Sequence, residues 1–293
     1  MGATEDAASG RAAPPDGSAV LRRSLLVLGL AAGLGAYYAF HDHLWNASDW
    51  WDVAFLSFVL IPACFAFVWL ALPLRTWRGL LPVGLTLGVL AWAFNVAGWH
   101  TPENFAKLFA VTLIGFWFLS YFETVAWVVL VAAIIPIVDS YSVARGPTKV
   151  VLEHHEQVFT NLSIAFPIPG ENTAANLGLP DLLFFALFLA AAARFHLRVG
   201  WTWVAMVASF GATIALAVSG ALERIFNLGG LPALPLLSLA FLIVNADLLW
   251  RQLRRPQMAP AAAPNGPPAA EVGPESTQTR APDRDTLDGE GGG

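Results

Sequence analysis

Two aspartates stand in apolar sequence without a charged neighbour. Val125–Val138 (VAWVVLVAAIIPIV) contains no charged residue, Asp139 follows it, and the next basic residue is Arg145. Asp181 opens a second apolar run, Leu179-Pro180-Asp181-Leu182-Leu183-Phe184-Phe185. A lone carboxylate is costly in hydrocarbon, so an acid in an apolar helix is by default a candidate functional group. Two carboxyls held close at low dielectric do not both ionise readily, and such a pair is expected to share one proton. The ionised member can take a proton from a water attacking a peptide carbonyl, while the protonated member donates to the carbonyl oxygen. A coupled pair titrates as a unit, so neither Asp139 nor Asp181 is assigned the acid or the base role.

The elements that must position these acids are membrane helices. The 293 residues are 56% hydrophobic and 13% charged, too little charge to cover a soluble domain of this length. Mean hydropathy is +0.59. The fold class expected is an all-α polytopic membrane protein. Its eight spans fall at about 22–40, 53–73, 79–98, 105–121, 123–145, 177–195, 200–219 and 231–250, each near the length a bilayer requires. Residues 1–20 and 253–293, rich in Ala, Gly and Pro, read as disordered tails. Residues 21–121 form a four-helix membrane part and residues 122–252 a core carrying both acids. The tight joint at Ser120-Tyr121-Phe122-Glu123 predicts that the fourth and fifth spans form a helical hairpin. The one long internal loop, about 146–176, holds a β-prone piece over 158–166, ended by Pro167 and Pro169.

Asp139 lies about six residues before that loop and Asp181 about four residues into the next helix. At the rise of an α-helix, both sit roughly 6–9 Å below one membrane face. The last span begins on the same face with Leu231-Pro232-Ala233-Leu234-Pro235. Pro136 lacks an N–H and is expected to loosen its helix one turn before Asp139. Gly178, Pro180, Pro232 and Pro235 interrupt regular helix, and irregular backbone at membrane depth is tolerated where it lines a wet cavity.

In order and spacing these residues resemble the presenilin and signal peptide peptidase family of intramembrane aspartyl proteases. Val138-Asp139 corresponds to the family's Tyr-Asp pair, Gly178-Leu179-Pro180-Asp181 to its Gly-x-Gly-Asp motif, and Pro232-Ala233-Leu234 to its Pro-Ala-Leu motif. Arg145-Gly146-Pro147 and Glu123-Thr124-Val125-Ala126-Trp127 add to the likeness, which covers roughly 120–250. Val138 stands where the family has tyrosine, Pro180 where it has glycine, and eight spans are counted where the family typically has nine. The resemblance implies cleavage of a membrane-spanning helix by Asp139 and Asp181. It also implies that the substrate adds a strand beside Gly178, Leu179 and Pro180, and near Pro232, Ala233 and Leu234. The β-prone piece and the stretch 171–177 are candidates for such pairing. The expected partners are transmembrane-helix substrates and the lipid bilayer. No nucleic acid, cofactor or metal is expected, and accessory subunits are left open.

Two other readings use the same acids. A proton- or ion-coupled carrier or channel also places carboxyls on interrupted helices, although the two halves show no inverted repeat. A catalytically inactive, presenilin-like binding protein is the other. The remaining polar clusters need no chemistry. Glu153-His154-His155-Glu156 lacks a spaced third His, and His41-Asp42-His43 reads as an interfacial loop beside Trp45, Trp50 and Trp51. Asp247 is expected to pair with Arg251 one turn on. The single cysteine, Cys64, excludes an intramolecular disulfide and a Cys-based metal site. Basic residues at span ends favour a cell-membrane protein with both termini cytoplasmic, and Lys107 is counted on the opposite, outer side.

Overall fold

The computed structural model describes residues 17–46, 48–145, 161–171, 173–220 and 233–254, and these are mostly helical. Both expected tails beyond these limits, Glu153–Glu156 and Pro232 lie outside the described residues. In chain order the elements are α1 (Gly17–Phe40), α2 (Asp49–Phe55), α3 (Ile61–Ala71), α4 (Leu80–Val96), α5 (His100–Phe118) and α6 (Val125–Arg145). They continue with β1 (Ser163–Pro167), β2 (Ala174–Gly178), α7 (Leu179–Arg194), α8 (Val199–Val218) and α9 (Leu234–Leu253). A π-helical turn, Leu56–Leu60, joins α2 to α3 immediately before Pro62. It lets the helical path continue past a residue that has no N–H to donate.

Among the described residues, five helical segments are long and apolar enough to cross a membrane: Val20–His43, Asp49–Thr76, His100–Tyr121, Val199–Val218 and Leu234–Leu253. Leu80–Val96 and Val125–Tyr141 are apolar but shorter. Large apolar side chains point outward, among them Phe58, Trp92 and Ile137 at 82%, 69% and 71% exposed. Such a surface suits lipid and not water. The chain is a helical membrane protein.

The core is built around α7. Every residue from Phe185 to Ala192 is fully buried, so this helix has no lipid-facing side there. Phe185 packs at a tilt against Phe65 of α3 with ring centroids 4.1 Å apart, and Phe65 stacks on Phe210 of α8 at 4.9 Å. Phe188 stacks on Phe241 of α9 at 4.8 Å. On the α5 side the contact is made by absence of bulk. A Cβ at Gly115 would stand 2.8 Å from the Leu183 carbonyl oxygen and 3.0 Å from Ala186 Cβ, so α5 and α7 approach almost backbone to backbone. Close approach through small residues is how helices associate in lipid, where the hydrophobic effect between them is lost.

The expected hairpin of the fourth and fifth spans is not formed. The turn at Leu119–Tyr121 is tight, but α5 packs along α4 and α7, while α6 packs along α9. The close antiparallel pair is α4–α5, joined through Gly98 at φ +74°. Gly84 lies within 3.0 Å of Ile114 for an added Cβ, which holds that pair tightly. The backbone-close seat offered by Gly115 draws α5 to α7, and α6 is left to the next available groove.

β1 and β2 form an antiparallel hairpin, with Ser163 opposite Gly178 and Pro167 opposite Ala174. Its turn docks on the loop after α1: the Gly170 N–H donates to the His41 carbonyl at 2.7 Å. Gly170 has φ +71°, and a Cβ there would meet the Asn46 nitrogen at 2.7 Å, so only glycine fits.

Candidate functional site

β2 runs without a break into α7, and this junction sets the position of Asp181. Gly178 is the extended N-cap (φ −61°, ψ 139°), Leu179 and Pro180 follow, and Asp181 is the third helical residue. Proline is well placed in a first turn, where its missing N–H would have had no intrahelical partner. Pro180 therefore opens α7 without strain. Asp181 occupies the position from which an acid turns back on its N-cap, and the Gly178 N–H faces its carboxylate. A Cβ on residue 178 would lie 3.3 Å from Asp181 Oδ2, so the glycine leaves room for that carboxylate.

Asp139 comes from α6, which stays helical through Pro136; the expected local loosening does not break the helix. Asp139 Oδ2 is buried and has no hydrogen-bond partner among the described residues. The Leu234 N–H, at the start of α9, faces the Asp139 carboxylate. Asp139 and Asp181 lie within electrostatic reach of each other. The structure thus brings Asp139, Gly178, Asp181 and Leu234 together where α6, α7 and α9 meet. Leu179 and Pro180 form the first turn of α7, and Ala233 is the buried N-cap of α9. α7 and α9 both begin at this region, and the positive ends of their dipoles favour negative charge there.

Comparison with known proteins adds no relative. No family model, curated protein or solved structure matches the chain. The site rests on its own geometry.

The hairpin beside the acids has one closed and one open edge. The Leu179 N–H donates to the Leu162 carbonyl, which makes Ile164–Leu177 and Phe166–Ala175 the hydrogen-bonded pairs and turns Ser163, Ala165 and Pro167 outward. Each outward position of β1 is capped by a side chain. Lys107 Nζ donates to the Ser163 carbonyl at 3.0 Å, and the Ala165 N–H donates to Asn104 Oδ1 at 3.1 Å. Tyr38 donates to the Ala165 carbonyl at 2.7 Å and Tyr37 to that of Pro167 at 2.6 Å. On β2 the outward groups belong to Ala174, Asn176 and Gly178. Among the described residues nothing hydrogen-bonds to the main chain of Ala174 or Asn176 on that side. This open edge ends at Gly178, against Asp181.

The clamp on β1 was not visible as such in the sequence. Lys107 pairs with Glu103 at 2.7 Å, and Asn95 Nδ2 donates to Glu103 at 2.9 Å. Both Lys107 (8% exposed) and Glu103 (4%) lie inside the protein, which corrects the placement of Lys107 as a basic residue at a span end. The Glu-x-x-x-Lys spacing within an otherwise apolar helix was the available signal. Asp247 pairs with Arg198 at 2.8 Å, not with Arg251. Arg198 begins α8 beside the buried Asn245, whose Oδ1 accepts from the Arg198 N–H at 3.0 Å. That bond brings the guanidinium within reach of α9. The space between hairpin and core, lined by Tyr38, Asn104, Ile164 and Leu182, amounts to ≈ 10 Å³. It is a packed contact, too small for a ligand.

Proposed function

We propose that the chain is an intramembrane aspartyl endopeptidase, similar to presenilins and signal peptide peptidases, in which Asp139 and Asp181 form the dyad. The observation that carries this reading is the meeting of Asp139, Asp181 and the Leu234 N–H at one junction of three helices. Water gives a proton to the ionised acid as its oxygen bonds to the substrate carbonyl carbon, and the protonated acid gives its proton to the carbonyl oxygen. The resulting gem-diol collapses with cleavage of the C–N bond. The ionised acid takes one hydroxyl proton of the gem-diol, the protonated acid gives its proton to the leaving nitrogen, and a carboxylic acid and an amine are released with the pair again holding one proton. Either aspartate serves in either part.

The substrate is a membrane-spanning helix that unwinds near the dyad and adds a strand to the open β2 edge. The exposed main chain of Ala174 and Asn176 supports this, because an unpaired strand edge is a template for another strand. Gly178, Leu179, Pro180, Pro232, Ala233 and Leu234 border the bound segment. Eight helical spans cross the cell membrane, with both termini cytoplasmic; the arginines at Arg22, Arg23, Arg75, Arg78, Arg194, Arg198, Arg251, Arg254 and Arg255 support that orientation.

The test is incubation of the reconstituted protein with a panel of membrane-spanning peptides, with fragments identified by mass. Fragments produced by the wild type and absent with Asp139→Asn support the protease. Ion-coupled uptake without fragments supports a carrier instead, and peptide binding unaffected by either Asp→Asn change supports a non-catalytic binding protein.

A further inference from the structure

At the end of the bundle away from the hairpin lies a cavity of ≈ 590 Å³, between the turn after α3, the end of α5 and the α7–α8 turn. Its position follows from the helices: α5 and α7 both start beside the hairpin and both end here. Arg75, Arg78, Arg194 and His196 line it together with the hydroxyls of Thr76 and Ser120, and no Asp or Glu is among the lining residues. A bias of basic residues to one membrane face explains their side, but not their convergence on one cavity. Two of the guanidiniums are held in place. Arg194 Nη1 donates to the Leu119 carbonyl at 2.8 Å and Arg75 Nη1 to that of Leu72 at 3.2 Å, leaving their other N–H groups available. Arg78 forms no hydrogen bond or ion pair with the described residues. His196 adopts φ +54°, a left-handed backbone that non-glycine residues rarely take and that recurs at ligand sites.

We propose that this cavity binds a phosphate group of net negative charge, as carried by an anionic phospholipid or a small phosphate compound. Among the described residues no carboxylate lines the cavity beside the three arginines, and a phosphate accepts from several guanidiniums at once, in the forked geometry for which guanidinium is suited. The volume lies in the range of small-molecule sites. Trp77 lies beside the arginines with its ring folded over Gly79, and tryptophan at this depth marks the headgroup layer. Basic pockets between helices on such a face are suited to phospholipid headgroups.

The full-length protein in phosphatidylcholine nanodiscs is titrated with phosphatidylglycerol, and retained lipid is read by native mass spectrometry. Phosphatidylglycerol is retained in preference to phosphatidylcholine, and Arg78→Gln weakens retention by about tenfold or more. Arg78 makes no hydrogen bond or ion pair with the described residues, so this change leaves their packing intact. Arg251→Gln, at the same end of the bundle but outside the cavity, has little effect. Displacement of the lipid by inorganic phosphate identifies a free phosphate compound as the ligand, and retention in its presence identifies the headgroup. Equal losses in Arg78→Gln and Arg251→Gln, or neither a preference for the anionic lipid nor binding of inorganic phosphate by the wild type, would overturn the proposal.

Discussion

The backbone N–H of Leu234 faces the carboxylate of Asp139, so α9 directs the positive end of its dipole at an acid carried by α6. Leu234 is the first residue of α9, where proline is tolerated. Leu234→Ala and Leu234→Pro both remove the buried side chain, but only the proline removes the N–H. Peptide cleavage by Leu234→Pro is expected to be roughly 10-fold slower or more than by Leu234→Ala, as for loss of a hydrogen bond to a charged group. Equal rates would mean that the N–H has no part in the site.

Gly178→Ala tests the room left for Asp181. The backbone at 178 is in an ordinary extended conformation that alanine adopts, while the added Cβ would press on Oδ2 at 3.3 Å. The expected outcome is a fall in kcat of about 10- to 100-fold, as for a small misplacement of a reacting group. Thermal unfolding, measured in parallel, should move by no more than a few degrees, or by roughly 1 kcal/mol.

The two faces of β2 can be separated by proline. Asn176→Pro removes an N–H that points away from β1, whereas Ala175→Pro removes one that pairs with Phe166. Asn176→Pro is expected to raise KM for peptide substrates with the fold retained. Ala175→Pro is expected to destabilise the hairpin itself, which limited proteolysis between 161 and 178 would detect.

Lys107→Met leaves Glu103 buried without its cation. The expected cost is about 3–5 kcal/mol, read from chemical or thermal unfolding. Lys107→Met combined with Glu103→Gln should recover a large part of that loss, since the uncompensated charge is gone. A double variant as unstable as the single would show that the pair is not the reason Lys107 is buried.

The parts of this architecture legible in the sequence are those that follow from counting along helices. Asp139, Asp181 and Leu234 were expected at one depth because spans alternate in direction and each residue advances a helix by a fixed rise. Neighbour choice was not legible in the same way. The tight turn after Leu119 reads as a hairpin of α5 with α6, but a turn fixes only how the chain reverses. Gly115 decides that α5 seats on α7, and one glycine in an apolar run carries no label of its partner. The sequence pattern places a β-prone piece over 158–166, of which 158–160 lie outside the described residues; the strand is Ser163–Pro167, and its register is shared with the Leu179–Leu162 bond. Lys107 read as a span-end charge because a lysine near the start of an apolar run ordinarily lies in the headgroup layer. Its burial depends on Glu103 and on the Ser163 carbonyl, a partner from a distant part of the chain.

If Asp139 and Asp181 act as one site, the cleavage rates of a membrane-spanning peptide by Asp139→Asn, Asp181→Asn and the double variant will show it. Members of one catalytic unit are strongly non-additive. Each single change is therefore expected to slow cleavage by about 10³-fold or more, with the double variant no slower than either. Substantial activity in one single variant, or losses that multiply in the double, would contradict a shared dyad.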